Sequence, residues 1–170
     1  MKSLLIATLL LAASPAFAKD KDPCKGVKSA KDAFGVESRG SVAYVGIGGY
    51  LAVVVGQVGA DKHLQMMFVQ RGAMDTRVPV GTPGKVALLD GTVLEFVSGK
   101  ESIPVANANE NGVFTQWIVE FPLTPEALAK LAASPLTAVS SSVGGQEMQF
   151  AVPEKKGEVL QSAAACIATH

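Results

Sequence analysis

The chain has 170 residues, with 15 Lys and Arg balanced by 15 Asp and Glu, and 48% of its residues are hydrophobic. A balanced charge without a basic cluster argues against a nucleic-acid-binding surface. A charged fraction of only 18% together with high apolar content argues against disorder. The length is enough for one domain with its own core.

The N-terminus has the three parts of a secretory signal. Lys2 supplies a positive start, an apolar run too short to span a bilayer begins at Leu4, and Ala16-Phe17-Ala18 supplies a small-residue cleavage site. We therefore expect a signal peptide over 1–18 and one globular domain over 19–170, exported to the periplasm or beyond the cell. Loss of Lys2 with the signal leaves a net charge near minus one. No lipid anchor is expected, because Cys24 lies downstream of the cleavage site.

Two cysteines stand near the two ends of the expected mature domain, Cys24 and Cys166. Export to an oxidising compartment favours a disulfide, and two cysteines allow one intramolecular pairing. Two free buried thiols, a redox pair or an intermolecular bridge are the alternatives. The chain lacks a Cys-x-x-Cys spacing that would lower a thiol pKa.

The stretch from Gly40 to Ala60 has no charged residue. Its length allows a membrane-spanning helix, but its many valines and glycines favour two buried strands around a turn at 46–49. His63 to Gln70 is a further strand, and Arg71 to Pro83 is loop-like.

Asp90-Gly91 predicts the next hairpin, with a type I′ turn between strands over 85–89 and 92–97. A short strand over 101–105, a polar loop over 107–112 and a long strand over 113–121 then follow.

Two helices are predicted late in the chain. Thr124 suits the cap and Pro125 the first position of a short helix. A hairpin joined at Gly144-Gly145 comes next, and a last helix opens near Pro153. Its apolar stripe is Val159, Leu160, Ala163, Ala164 and Ile167. The whole pattern predicts an α+β fold: a mainly antiparallel sheet of about eight strands in hairpins, a short helix and a C-terminal helix.

The order of these features resembles small exported bacterial proteins that carry no assigned function. The resemblance rests on Cys24, Lys31-Asp32-Ala33-Phe34-Gly35, Asp90-Gly91-Thr92, Leu123-Thr124-Pro125-Glu126-Ala127-Leu128 and Cys166. It implies the same fold and the terminal disulfide, and it implies no catalytic residue.

Candidate catalytic residues are few. The only histidines are His63 and His170, and no Gly-x-Ser-x-Gly elbow accompanies them. Zinc would need several nitrogen or sulfur ligands, and a disulfide would remove both thiolates. Three carboxylates on or beside strands, Glu95, Glu101 and Glu120, are the candidates for acid–base work.

Copper is a further alternative, because imidazole and thioether groups suit copper(I). The candidate ligands are His63, Met66 and Met67. Strand alternation predicts that His63 and Met67 share one face while Met66 lies on the other.

Loops held on a rigid sheet are where binding residues concentrate. The candidates are Asn107, Asn109 and Asn111 in the polar loop and Arg71 at the start of the longer loop. The sequence therefore favours an exported, non-enzymatic binding domain without a cofactor or membrane anchor, in one form an inhibitor or immunity protein. A small envelope hydrolase using carboxylates and a copper-handling protein are the alternatives.

Overall fold

A computed structural model describes residues 22–45 and 51–170. Residues 1–18, Lys19 and the expected turn at 46–49 lie outside the described residues. The fold is α+β and mainly antiparallel, as predicted. Its strands are β1 Lys28–Lys31, β2 Glu37–Val45, β3 Leu51–Val58, β4 Asp61–Arg71, β5 Pro83–Leu88, β6 Val93–Val97, β7 Val105–Asn109, β8 Gly112–Pro122, β9 Leu136–Val143 and β10 Gln146–Ala151. The helices are α1 Pro125–Ala133 and α2 Glu154–Ala168.

The strands form two antiparallel sheets. The large sheet has the order β1-β2-β3-β4-β8-β7, and the small sheet has the order β10-β9-β5-β6. The described part of the chain has ten strands where the sequence predicts about eight. It contains no helix long and apolar enough to cross a membrane.

The inner face of the large sheet is the floor of the core. The small sheet covers its β4 and β8 half, where Phe68 lies 6.2 Å from Phe150 and Phe121 lies 6.1 Å from Phe96 between ring centroids. Helix α2 covers the β2 and β3 half and also contacts β9 and α1. The inward residues of the central strands, Val53, Leu64, Met66, Phe68, Trp117 and Phe121 among them, are fully buried.

The local signals for α1 and for one hairpin are confirmed. Thr124 caps α1 by accepting a hydrogen bond from the Ala127 N–H at 3.2 Å. Gly144 and Gly145 both have positive φ, which gives the β9–β10 hairpin the left-handed pair that a type I′ turn requires.

The predicted type I′ turn at Asp90-Gly91 is wrong. Only Gly91 has a positive φ (86°), and its N–H donates to the Leu88 carbonyl while the Leu88 N–H donates to the Thr92 carbonyl. This is the pattern of a three-residue loop that ends in a left-handed glycine. The Asp90 carboxylate accepts the Thr92 N–H at 2.8 Å, which satisfies the loop locally.

The predicted strand over 101–105 and polar loop over 107–112 are also displaced. The strand is β7, Val105–Asn109, which pairs with β8 as a hairpin, and Ser102 instead makes an isolated bridge to Val78. Polar asparagines do not indicate a strand by composition, and the edge position of β7 leaves them exposed. In α2, Val159 of the predicted apolar stripe is exposed, while Leu160, Ala163, Ala164 and Ile167 are buried.

The disulfide between Cys24 and Cys166 is present, with the two Cα atoms 4.9 Å apart. Cys166 is buried on α2, so the bond fastens the N-terminal segment before β1 to the helix that covers the core. A buried disulfide indicates folding in an oxidising environment.

We expect the Cys24→Ser, Cys166→Ser double variant to fold but to lose about 2–4 kcal/mol of unfolding free energy, because it closes no loop in the unfolded chain. Urea unfolding of the oxidised parent, the reduced parent and the variant measures this. The reduced parent is the control and should match the variant, whereas equal midpoints for the oxidised parent and the variant would contradict the structural role of the bond.

Gly157 sets how closely α2 approaches the small sheet. A Cβ at this position would collide with the carbonyl oxygen of Leu136 at the start of β9. Only glycine permits this contact between the helix and the strand backbone.

Gly157→Ala therefore should destabilise the protein by more than about 1 kcal/mol, although the same change in an exposed helix is normally stabilising. Glu158→Ala, on the exposed face one residue later, is the control and should change stability little. A thermal-unfolding series compares the two variants, and a stabilised Gly157→Ala protein would show that α2 lies farther from β9.

Candidate functional site

The three carboxylates do not form a catalytic pair. Glu95 pairs with Lys85 at 3.1 Å, Glu101 with Arg77 at 3.1 Å, and Glu120 with Lys100 at 2.9 Å. Each carboxylate therefore has its own cation, and no two of the three share a partner.

Glu120 is the least exposed of the three. Its other oxygen accepts a hydrogen bond from the Gln65 amide on β4 at 2.7 Å. Partial burial raises the pKa of Glu120, but the hydrogen bonds from Gln65 and Lys100 and the nearby positive charge outweigh it, so the pKa lies below its ordinary value. A carboxyl that stays ionised in this way can join neighbouring strands, but it has no proton to donate as a general acid.

Glu120→Gln should lower the free energy of unfolding at neutral pH, because the attraction between Glu120 and Lys100 is lost. A depressed folded-state pKa gives stability that is present above the unfolded pKa of about 4.3 and is lost as pH falls through the folded value. The stability difference between parent and variant should therefore shrink at acid pH, as denaturant titrations at several pH values measure. Lys100→Gln should show the same trend, and a difference independent of pH would contradict the role of the pair.

The copper candidates do not converge. Met66 is fully buried on the inner face, whereas His63 and Met67 lie on the outer face of β4, as alternation predicts. The Met67 sulfur lies 2.9 Å from the Gln116 amide nitrogen, which donates to it. Met66 therefore lies on the opposite side of the sheet from His63 and Met67.

Cys24, Cys166 and His170 offer ligand atoms within 4.8 Å of one another. The two sulfurs are bonded to each other, so neither is a thiolate, and His170 Nε2 lies 3.9 Å from the Cys24 sulfur. His170 therefore lies beside the disulfide.

The loop after Arg71 is held firmly to the core. Buried Thr115 donates to the Gly72 carbonyl at 2.7 Å and accepts from the Met74 N–H at 2.9 Å. The Trp117 indole donates to the Thr76 carbonyl at 2.8 Å. These hydrogen bonds attach the loop to β8, so its polar groups serve the fold.

The other predicted partner residues do come together. Asn107 and Asn109 lie on β7, Asn111 lies in the turn that follows, and the Asn109 side chain accepts the Asn111 N–H at 2.8 Å. Arg71, at the end of β4, reaches the same hairpin, where its guanidinium would lie 3.8 Å from a Cβ at Gly112.

A groove of about 690 Å³ crosses the outer face of the large sheet between β1 and β4, and we call it the Tyr44 groove. Gly40 on β2 and Gly56 on β3 lie directly opposite each other in the floor of the groove, where neither contributes a side chain. Lys28 pairs with Gly40 on one side, and His63 pairs with Gly56 on the other. The row across the sheet is therefore Lys28, two glycines and His63.

Apolar side chains line the next rows of the same groove. Val42 faces Val54, and Tyr44 faces Ala52, in register across β2 and β3. Tyr44 is 60% exposed and Val42 is 47% exposed, although both lie on a strand whose alternate residues are buried. No Asp or Glu is among the described residues that line the groove.

A second cleft, of about 630 Å³, lies beside α1, where β4 begins and β8 ends. Three of its charged groups already have partners within the protein: Lys62 donates to the Ile167 carbonyl at 2.9 Å, and Glu120 binds Lys100 as well as Gln65. The Tyr44 groove is therefore the better candidate for a binding site.

Sequence reasoning missed this groove. Gly40 and Gly56 are 16 positions apart in the chain, and only the strand register brings them together. A weak signal was available, since Tyr44 and Val42 alternate with the apolar residues Ala43 and Val45 and so cannot all face the core.

Comparison of the chain with protein-family models, with curated proteins and with solved structures found no match. The resemblance to small exported bacterial proteins stays an expectation.

Proposed function

We propose that the protein is an exported, non-enzymatic binding domain whose Tyr44 groove docks an acidic segment of a partner protein of the cell envelope. The observation that carries the proposal is the groove itself: an exposed aromatic and apolar floor with a lysine at its rim and no lining carboxylate. An inhibitor or immunity protein is one form of this function.

The apolar part of the groove supplies the binding energy in this proposal. Large side chains left exposed in one patch mark interaction surfaces more often than scattered single residues do. Tyrosine is enriched at the energetic centres of interfaces, since it buries a large area and keeps a polar tip. Tyr44 and Val42 lie adjacent on the same face, with Val54 half-buried beside them.

The charges at the rim favour an acidic partner. Lys28 has no ion-pair partner within 22–45 and 51–170, whereas the other cation of the lining, Arg39, binds Glu37 at 2.8 Å. The His63 imidazole lies over Gly56. A carboxylate lying over Gly40 would therefore have Lys28 on one side and the His63 imidazole on the other. Charges arranged in this way set specificity and the rate of association.

The groove is also rigid. Its floor belongs to β2, β3 and β4, which pair along their whole described lengths. A partner therefore orders few groups when it binds, which lowers the entropic cost of association.

The disulfide supports the cellular part of the proposal. It indicates an oxidising environment, and together with the predicted signal over 1–18 it supports export to the periplasm. The mature chain in the experiment below therefore begins at Lys19.

Tagged mature protein captures partners from envelope extract, and two matched pairs of variants show whether the groove is responsible. Tyr44→Ala should weaken capture of the partner by about tenfold or more, as loss of an interfacial aromatic does. Val42→Asp and Lys28→Glu should also weaken it.

Val93→Asp and Lys156→Glu are the matched controls, because both residues are exposed but lie on β6 and α2, away from the groove. A protein captured by the parent and by both controls, but not by the groove variants, supports the proposal. Capture that no groove variant alters, or that the controls reduce equally, would overturn it.

A further inference from the structure

Strand β7 is an unusual edge of the large sheet. The edges of the described sheets are β1, β7, β10 and β6. Three of them carry charge, namely Lys28 and Lys31 on β1, Glu147 on β10 and Glu95 on β6. Charged residues on an edge oppose pairing with another chain. Strand β7, Val-Ala-Asn-Ala-Asn, carries none, and all five of its residues are exposed.

The backbone direction of β7 follows from its neighbour. The Gly72 N–H donates to the Val113 carbonyl, and the Gly99 N–H donates to the Glu120 carbonyl. The backbone N–H and C=O groups of odd-numbered β8 residues are therefore directed towards β4, and those of even-numbered residues are directed away from it. The even residues Phe114 and Gln116 therefore bond to their register partners Asn107 and Val105. The N–H and C=O groups of Ala106 and Ala108 consequently point away from β8, towards the open edge of the sheet.

These outward groups fit a second copy of the same strand. In an antiparallel pair centred on Asn107, Ala106 lies opposite Ala108 of the second copy, and such a pair exchanges both N–H···O bonds. Asn107 lies opposite its own equivalent, where two amides can bond to each other. The only other pairs are Val105 with Asn109, so no like charges meet.

The ends of β7 limit the length of this pairing. Pro104 precedes the strand and offers no N–H, and the hairpin turn at Glu110 and Asn111 follows it. In the pairing centred on Asn107, Glu110 lies opposite Pro104 of the second copy. The arrangement is self-complementary, as a two-fold contact requires.

We propose that β7 is the contact strand of a symmetric homodimer in which the two large sheets join edge to edge. This goes beyond the binding function, because it requires no other partner and stands whether or not the Tyr44 groove binds one. The two grooves lie on the same outer face of the joined sheet, towards its far edges, and would present two binding sites to one partner assembly.

The test is the molar mass of the purified mature protein by sedimentation and light scattering at concentrations up to about 0.1 mM, since contacts this small bind weakly. The parent should form a reversible dimer. Asn107→Asp and Asn107→Lys should each weaken the dimer several-fold, because like charges then face each other. An equimolar mixture of the two variants should restore it.

Two further variants separate edge pairing from a damaged fold. Ala106→Pro removes an outward N–H that β8 does not use, so it should abolish the dimer while circular dichroism stays unchanged. Asn111→Asp, in the turn, should leave the dimer intact. A monomeric parent at every concentration, a dimer indifferent to Ala106→Pro, or a mixture that does not recover would each overturn the proposal.

Discussion

The docking of α2 on the inner face of the large sheet is the constraint on which the rest of the structure depends. The helix covers β2 and β3, and it can lie close to the start of β9 only because Gly157 has no side chain. Cys166 then ties this helix to the segment before β1. Without the helix, half of the sheet's apolar inner face would meet water, at about 25 cal/mol for each Å² exposed.

Because α2 and the small sheet cover the inner face of the large sheet, only its outer face is accessible to a partner. The small sheet and α2 occupy the inner face, so the outer residues of β2, β3 and β4 face away from the core. Most sheets of this kind place polar residues there. Here the outer face has Val42 and Tyr44 beside two opposed glycines, which leaves an apolar floor with a basic rim. The same fold that makes the core therefore also makes the groove and holds it rigid.

Much of the fold could be predicted because its signals are local. Thr124 and Pro125 start α1, Gly144 and Gly145 turn a hairpin, and alternation places Met66 and His63 on opposite faces of β4. The missed features depend on contacts between distant residues. Strand β7 is polar and exists because β8 pairs with it, and the Tyr44 groove exists because register sets Gly40 opposite Gly56. No single strand contains that information.

The proposed docking of partners on the outer face of the large sheet can be tested by hydrogen exchange of the protein bound to a captured partner. We expect slower amide exchange in β1 and β2, next to the Tyr44 groove, with exchange in β5 and β6 of the small sheet unchanged. Protection confined to the small sheet or to the loop after Arg71, with β1 and β2 exchanging as in the free protein, would contradict it.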